Sequence, residues 1–199
     1  MARSRKVEPE AALQAAMTAF WQHGYCSLGT RQIEEETGIT RFTLQTAYGG
    51  KMPLFLKTLD TYLDLFEDFT KLDPVQGNLE VLATWFEVRV DPTIMPEPSC
   101  YGCLMLNTII EFSAQNDEIN QRVERYFTML RNGFRAVLQA AKNNGTLPVD
   151  FDVSGKVEVL IGIALSLNII IRAANDNLAG QHMATSTARM IREWAGVKQ

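Results

Sequence analysis

Residues 30–46 have the sequence TRQIEEETGITRFTLQT, which contains two short helical segments on either side of Gly38. Glycine suits the left-handed conformation that commonly ends a helix, and Thr40 is a good N-cap for the segment that follows. Three apolar residues are spaced to bury the inner faces of both segments: Ile33, Ile39 and Leu44. Two helices joined by a short turn that contains glycine form a helix-turn-helix.

The outward face of the second segment is polar. It presents Arg41, Thr43, Gln45 and Thr46, whose side chains can hydrogen-bond to base edges or phosphates. A simpler interpretation is that the three N-terminal helices are only a packing unit. We favour DNA binding, because a packing helix does not need so many hydrogen-bonding side chains on its outer face.

The rest of the chain also has helical periodicity, and no stretch has the alternation of a half-buried strand. Apolar residues recur at helical spacing in Leu13–Trp21, Phe55–Phe69, Leu79–Val90 and Ile119–Ala141, and two further helices are predicted over about 153–175 and 179–194. We therefore predict an all-α protein of about nine helices.

Residues 11–55 resemble the N-terminal domain of the TetR family of bacterial transcriptional regulators. The matching positions are Ala16, Phe20, Gly24, Tyr25, Arg31, Ile33, Gly38, Ile39, Thr40, Thr43, Leu44, Lys51, Leu54 and Phe55. This resemblance implies a DNA-binding domain over residues 1–52. It also implies a larger helical domain over residues 53–199 that dimerises and binds an effector.

The resemblance also implies roles for individual residues. The recognition helix would use Thr40, Arg41, Thr43, Gln45 and Thr46, and Lys51 would contact a phosphate. Other expected DNA contacts are Thr30, Arg31, Phe42 and Tyr48, with Arg3, Arg5 and Lys6 in an N-terminal arm. Phe42, Gln45, Thr46 and Tyr48 differ from the residues common in the family, so the operator sequence cannot be transferred from relatives.

Composition and charge are compatible with this hypothesis. The 199-residue chain has a net charge of −4, but residues 1–51 carry six basic and five acidic residues, giving +1, whereas the remainder carries 13 and 18, giving −5. The most apolar run, residues 159–171, is shorter than the 18 or so residues that a membrane span needs, which predicts a buried helix and no membrane partner. With three cysteines and no evident signal peptide, we expect a cytoplasmic protein.

Cys100 and Cys103 form a C-x-x-C motif, which is typical of a redox dithiol or half of a zinc site. Zinc needs four ligands, and the other candidates, Cys26, His23 and His182, form no second pair, so we expect neither a metal nor a cofactor. A thioredoxin-like enzyme would need a βαβ context, which the pattern lacks.

The segment Gly102–Asn107, followed by Glu111, is similar to one branch of the TetR family. That branch includes regulators that respond to electrophiles or oxidants through a cysteine. A helix N-terminus would lower the pKa of such a thiol. The alternative, which we favour, is that the cysteines are small buried hydrophobes.

An effector pocket is expected between the helices of the larger domain. Its candidate lining residues are Tyr62, Phe66, Trp85, Phe86, Tyr101, Asn107, Glu111, Phe127 and Met129. Most aromatic residues at helical spacing belong to a core, so only part of this set is expected to touch a ligand. Because the set carries few charges, we expect an uncharged or aromatic effector.

The sequence therefore predicts a homodimeric repressor, and not an enzyme, that a small molecule releases from a palindromic double-stranded DNA operator. The helices over 153–175 and ending at Trp194 would form a four-helix dimer interface. A cysteine-based redox sensor is the alternative within this class. A thiol-disulfide enzyme and a DNA-independent helical interaction module are the alternatives outside it.

Overall fold

The computed structural model describes residues 8–74 and 78–196, and over these ranges it is all-helical, as predicted. The nine α-helices of this part of the chain are α1 Pro9–His23, α2 Thr30–Thr37, α3 Arg41–Ala47, α4 Lys51–Thr70, α5 Leu79–Val88, α6 Leu104–Phe112, α7 Asp117–Asn143, α8 Val153–Ala174 and α9 Gln181–Trp194. Two 3₁₀ helices, Glu97–Tyr101 and Asn177–Gly180, precede α6 and α9.

The turn between α2 and α3 has the predicted geometry. Gly38 adopts a left-handed conformation with φ of 71°, and its N–H donates to the carbonyl of Glu34 to end α2. The Thr40 side chain accepts a hydrogen bond from the Thr43 N–H and so caps α3. Local sequence signals thus fix where α2 ends and where α3 begins.

Packing divides the chain into two compact units. The first contains the residues up to Leu65 together with Leu104–Val123, and the second contains Phe66–Cys103 together with the residues from Glu124 onward. These units describe packing, whereas the division into functional domains at 1–52 and 53–199 stays a prediction.

The first unit has a core built from α1 to α4 and α6. Ile33, Ile39 and Leu44 are buried in it, as predicted. Phe20 packs on Phe55 with ring centroids 4.8 Å apart, which joins α1 to α4. Burying these side chains supplies the apolar surface that two helices as short as α2 and α3 cannot provide alone.

In the second unit, α5 packs against α9, and α8 packs against both 3₁₀ helices. The approach to α8 is close at Gly102, where a Cβ atom would lie 2.7 Å from the carbonyl oxygen of Asn168. Gly102 also has φ of 79°, so a side chain there would meet both strain and a clash. This glycine separates the first 3₁₀ helix from α6.

The apolar run in α8 is expected to be too short to span a membrane, but the helix that contains it is longer. It has 22 residues and a mean hydropathy of 1.9 in its most apolar window, so by length and composition alone it could cross a membrane. The apolar run is short, but the residues that flank it carry few charges and extend the helix. Such a helix is also typical of the core of a soluble protein, and here Asn168, in its middle, hydrogen-bonds to Arg89 of the same unit.

The single chain leaves part of α8 uncovered. Val159 and Ile169 are 51% and 52% exposed, and 39% of the most apolar window is buried. The expectation of a helix covered on all sides is therefore not met within one chain. An apolar helix face in water indicates a surface that a partner covers.

Candidate functional site

Helix α3 turns one face to the core and the other to solvent. Leu44 is buried, whereas Arg41, Gln45 and Thr46 are exposed. Arg41 forms no ion pair with any residue in the described part of the chain, so its guanidinium is available to an external anion. Arginine and amide side chains are the groups that most often recognise guanine and adenine in the major groove.

Phe42 lies on the same outward face and is 76% exposed. A phenyl ring is seldom left so open to water unless it has a partner, and apolar side chains contact thymine methyl groups in DNA. Sequence reasoning identified Phe42 as a departure from the family pattern. Its exposure adds a chemical reason to place it at the interface.

The threonines of α3 are constrained by local hydrogen bonds. The hydroxyl groups of Thr40 and Thr43 lie 3.0 Å apart, at the N-cap. The Thr46 hydroxyl donates to the carbonyl of Phe42 at 2.9 Å. These bonds hold the side chains in fixed rotamers and leave their remaining lone pairs open to another donor.

Two cations lie beside aromatic rings near the start of α4. The Nζ atom of Lys51 is 4.3 Å from the centroid of Tyr25, and that of Lys57 is 5.8 Å from the centroid of Tyr48. Partial burial lowers the pKa of Lys51 below the ordinary lysine value. Lys51 is thus held in one place, as a residue that positions a phosphate would be.

The outer face of α2 is exposed, and most of its charged side chains have partners. Arg31 forms an ion pair with Glu35 at 2.9 Å, and Thr30 lies open to solvent. Glu36 is 3.1 Å from the Nε2 atom of His23. Glu34, Glu35 and Glu36 are all exposed, so this acidic run forms a solvated face of α2. The arm residues Arg3, Arg5 and Lys6 lie outside the described residues.

Glu111 of α6 is bonded to the loop that leads into α2. Its carboxylate accepts hydrogen bonds from the backbone N–H groups of Tyr25, at 2.8 Å, and Cys26, at 2.5 Å. The same carboxylate raises the pKa of the Cys26 thiol through a hydrogen bond and raises the pKa of Tyr25 in addition to the effect of burial. Sequence reasoning placed Glu111 in a pocket, since it could not identify backbone partners about 85 residues away.

The candidate pocket residues fall into both compact units. Tyr62, Asn107 and Glu111 belong to the first, and Tyr62 makes an edge-on contact with Trp21 at 5.1 Å. The second unit contains the other six: Phe66, Trp85, Phe86, Tyr101, Phe127 and Met129. Ring contacts connect Phe66, Trp85, Phe86 and Phe127 through Phe69 and Tyr126. Phe86 is fully buried, and which of the nine residues touch an effector stays a prediction.

A cleft of about 410 Å³ lies elsewhere in the second unit. It contains none of the predicted pocket residues and is lined by Glu87, Val90, Asp91, Pro92, Leu178, Gln181 and Thr185. The cleft is open, with polar and apolar residues in its lining, and it lacks the enclosed apolar walls that are typical of ligand sites.

The cysteine pair has the properties of packed residues. Cys103 is 1% exposed, and its thiol donates to the hydroxyl of Tyr126 at 3.5 Å. Burial raises the pKa of the Cys100 thiol, and the nearby carboxylates of Glu97 and Asp176 raise it further. The lowering expected from a helix N-terminus therefore does not occur at Cys100, which lies in the 3₁₀ helix before α6. No group of three potential metal ligands forms within residues 8–74 and 78–196.

Known proteins with the same sequence pattern and fold are transcriptional regulators. Residues 79–187, more than half of the chain, match the model of the tetracycline repressor-like C-terminal domain. The chain is 25% identical over 190 residues to the helix-turn-helix transcriptional repressor ComR of Escherichia coli, covering 94% of this chain and 90% of ComR. It is 27% identical over 179 residues to the regulator YezE of Bacillus subtilis, with coverages of 88% and 92%.

Solved structures share the fold. A cysteine mutant of the TetR family regulator CifR, in complex with a 26-base-pair double-strand operator DNA, superposes with a TM-score of 0.76 and 20% sequence identity. The match covers 96% of this chain and 99% of that one.

Proposed function

This chain belongs to the tetracycline repressor-like (TetR) family, and we propose that it is a homodimeric transcriptional repressor that a small-molecule effector releases from its operator. The outward face of α3 carries this proposal, because it combines an exposed arginine, an exposed amide and an exposed phenyl ring on a helix with a buried inner face. The naming of ComR as a repressor and the operator complex of CifR support it.

The proposed contacts of each residue with DNA follow from the chemistry of its side chain. Arg41 and Gln45 hydrogen-bond to base edges, and Phe42 packs on a thymine methyl group. The phosphate contacts come from Thr30, Arg31, Thr40, Thr43, Tyr48 and Lys51, with Arg3, Arg5 and Lys6 as an arm. Thr46 also contacts the bases in this proposal.

The proposed dimer is formed by α8 and α9 of two chains. Val159 and Ile169 supply apolar surface on α8 that one chain leaves exposed. A twofold axis through this interface implies a palindromic operator, with half-sites about one helical turn apart or somewhat more. An effector would release DNA only as far as it binds the DNA-incompetent state more tightly.

A mobility-shift experiment in a salt series tests DNA binding, with promoter DNA flanking the gene of the protein itself and, if needed, sites selected from random DNA. The double variant Arg41→Ala/Gln45→Ala should bind at least about 30-fold more weakly than the wild type, since each base contact contributes about 1–3 kcal/mol. The matched control is Arg135→Ala, an exposed arginine of α7. Equal binding by the double variant and the control would contradict the proposal and favour an interaction module.

A further inference from the structure

Arg89 is a buried cation in the second unit. It follows the last residue of α5 and is 5% exposed. Its Nη2 atom donates a hydrogen bond to the Oδ1 atom of Asn168 on α8, and its Cζ atom lies 5.7 Å from the centroid of the Phe69 ring. An arginine side chain stays charged at any physiological pH, so this charge cannot be removed by loss of a proton.

No carboxylate of the described residues lies within 4 Å of the Arg89 guanidinium nitrogens. The acidic residues closest in sequence have other partners: Glu87 pairs with Arg192 at 2.8 Å, and Asp91 accepts from Thr93 at 2.8 Å. Arg122, Arg125, Arg131 and Arg192 each have a carboxylate partner and are more exposed. A buried charge without an opposite charge is costly, so it persists where a function needs it.

The neighbours of Arg89 are fixed in place. The Nδ2 atom of buried Asn168 donates to the carbonyl of Ala164 at 2.7 Å, which orients its Oδ1 atom toward the guanidinium. The Trp85 indole N–H donates to the carbonyl of Phe69, and the two rings lie 5.3 Å apart. One hydrogen bond uses one of the five N–H donors of the guanidinium, and the Phe69–Trp85 pair forms an aromatic wall beside it.

We infer that Arg89 is the anion-recognition residue of an effector site in the second unit, and that the effector carries a carboxylate on an apolar body of aromatic size. The carboxylate supplies the missing negative charge in the bidentate geometry that suits arginine. The apolar body packs on Phe69 and Trp85. This inference rests on the proposed effector-responsive function and replaces the expectation of an uncharged effector with an acidic one.

Binding also requires side chains around Arg89 to move, since this residue is only 5% exposed in this structure. A ligand that reaches its guanidinium therefore selects a side-chain packing different from that of this structure. That difference between two states is what an effector needs to change DNA affinity.

The test compares carboxylates with their neutral amides on the full-length protein. The probes are benzoate and benzamide, phenylacetate and phenylacetamide, and octanoate and octanamide, and the readouts are the Tm and calorimetric Kd. At least one carboxylate should raise the Tm of the wild type more than its amide does. Arg89→Met should weaken the Kd of that carboxylate roughly ten- to a hundredfold, the range expected for loss of a charged hydrogen bond.

Two further variants separate recognition from folding. Asn168→Asp places a carboxylate beside Arg89, so it should remove the carboxylate response while the unliganded protein stays at least as stable as the wild type. Arg131→Met removes a half-buried arginine of the same unit, which is paired with Glu158, and should leave the response unchanged. A response that survives in Arg89→Met overturns the inference, as does a wild type that responds to every carboxylate no more than to its amide.

The same preparations are assayed for operator binding without ligand. Operator binding with no carboxylate response overturns the effector inference alone. If the wild type does not bind an operator at all, the proposed function is overturned, whatever the result with the ligands.

Discussion

Arg41 in the first unit and Arg89 in the second carry the same charged group in opposite surroundings. Arg41 is exposed on α3, so water and salt screen its charge until DNA displaces them. Arg89 is buried between Asn168 and Phe69, where its charge is weakly screened and needs a permanent or temporary partner. Accessibility, and not residue type, therefore determines whether an arginine binds a polyanion on the surface or a small anion inside the protein.

The largest effect should come from removing the neutral partner of the buried arginine. Asn168→Leu leaves the guanidinium without its hydrogen-bond acceptor, so the free energy of unfolding should fall by about 3 kcal/mol. Adding Arg89→Met should recover most of this loss, because an apolar pair can replace a buried polar one. Urea denaturation of both single variants and the double variant measures the coupling. Additive losses would mean that Arg89 does not depend on Asn168.

The exposed arginine should show the opposite behaviour. Arg41→Ala should weaken operator binding by about 1–2 kcal/mol and change the free energy of unfolding by less than about 0.5 kcal/mol. If Arg41 also contacts a phosphate, the slope of log K against log salt should fall by about one. Titrations at several salt concentrations measure both quantities. A large loss of stability would remove the contrast with Arg89.

Glu111 gives an intermediate case, because its carboxylate is partly exposed and bonded to backbone. Glu111→Gln should lower the free energy of unfolding by about 1 kcal/mol, since a neutral amide oxygen is a weaker acceptor for two N–H groups.

The same substitution should lower the pKa of Cys26 toward its ordinary value, because the carboxylate holds that pKa up. In a Cys100→Ser background, the reaction of Cys26 with a disulfide reagent should therefore begin at a lower pH than in the parent. An unchanged pH profile would show that Glu111 does not contact the thiol.

The smallest effect should be at Arg192, which links α9 to Glu80 and Glu87 of α5 on the surface. Arg192 lowers the pKa of Glu80, so the ion pair stabilises the fold above the ordinary glutamate pKa and loses its effect as the pH falls through the lowered value. Arg192→Met should reduce the Tm by a few degrees at most near pH 7, and by less in acid or high salt. A larger difference at low pH than at neutral pH would contradict this assignment.

The sequence allowed the helix-turn-helix to be predicted in detail because its determinants are local. Gly38, Thr40 and Leu44 act within a few residues of the turns and faces that they specify. The contact between Arg89 and Asn168 spans 79 residues, and no periodicity indicates it. A weak signal existed, since Arg89 lies three residues after Phe86 and thus in line with the apolar face of α5, one residue beyond its end.

The hydrogen bond within α3 from the Thr46 hydroxyl to the Phe42 carbonyl affects which base pairs the operator should contain. Because its proton is committed, this hydroxyl can only accept, and the groups that donate in the major groove are the amines of adenine and cytosine. Phe42, one turn away, favours a thymine methyl. An A·T pair offers both features at once, so sites selected from random DNA should be enriched in A·T where Thr46 and Phe42 meet the groove, and Phe42→Ala should weaken that enrichment.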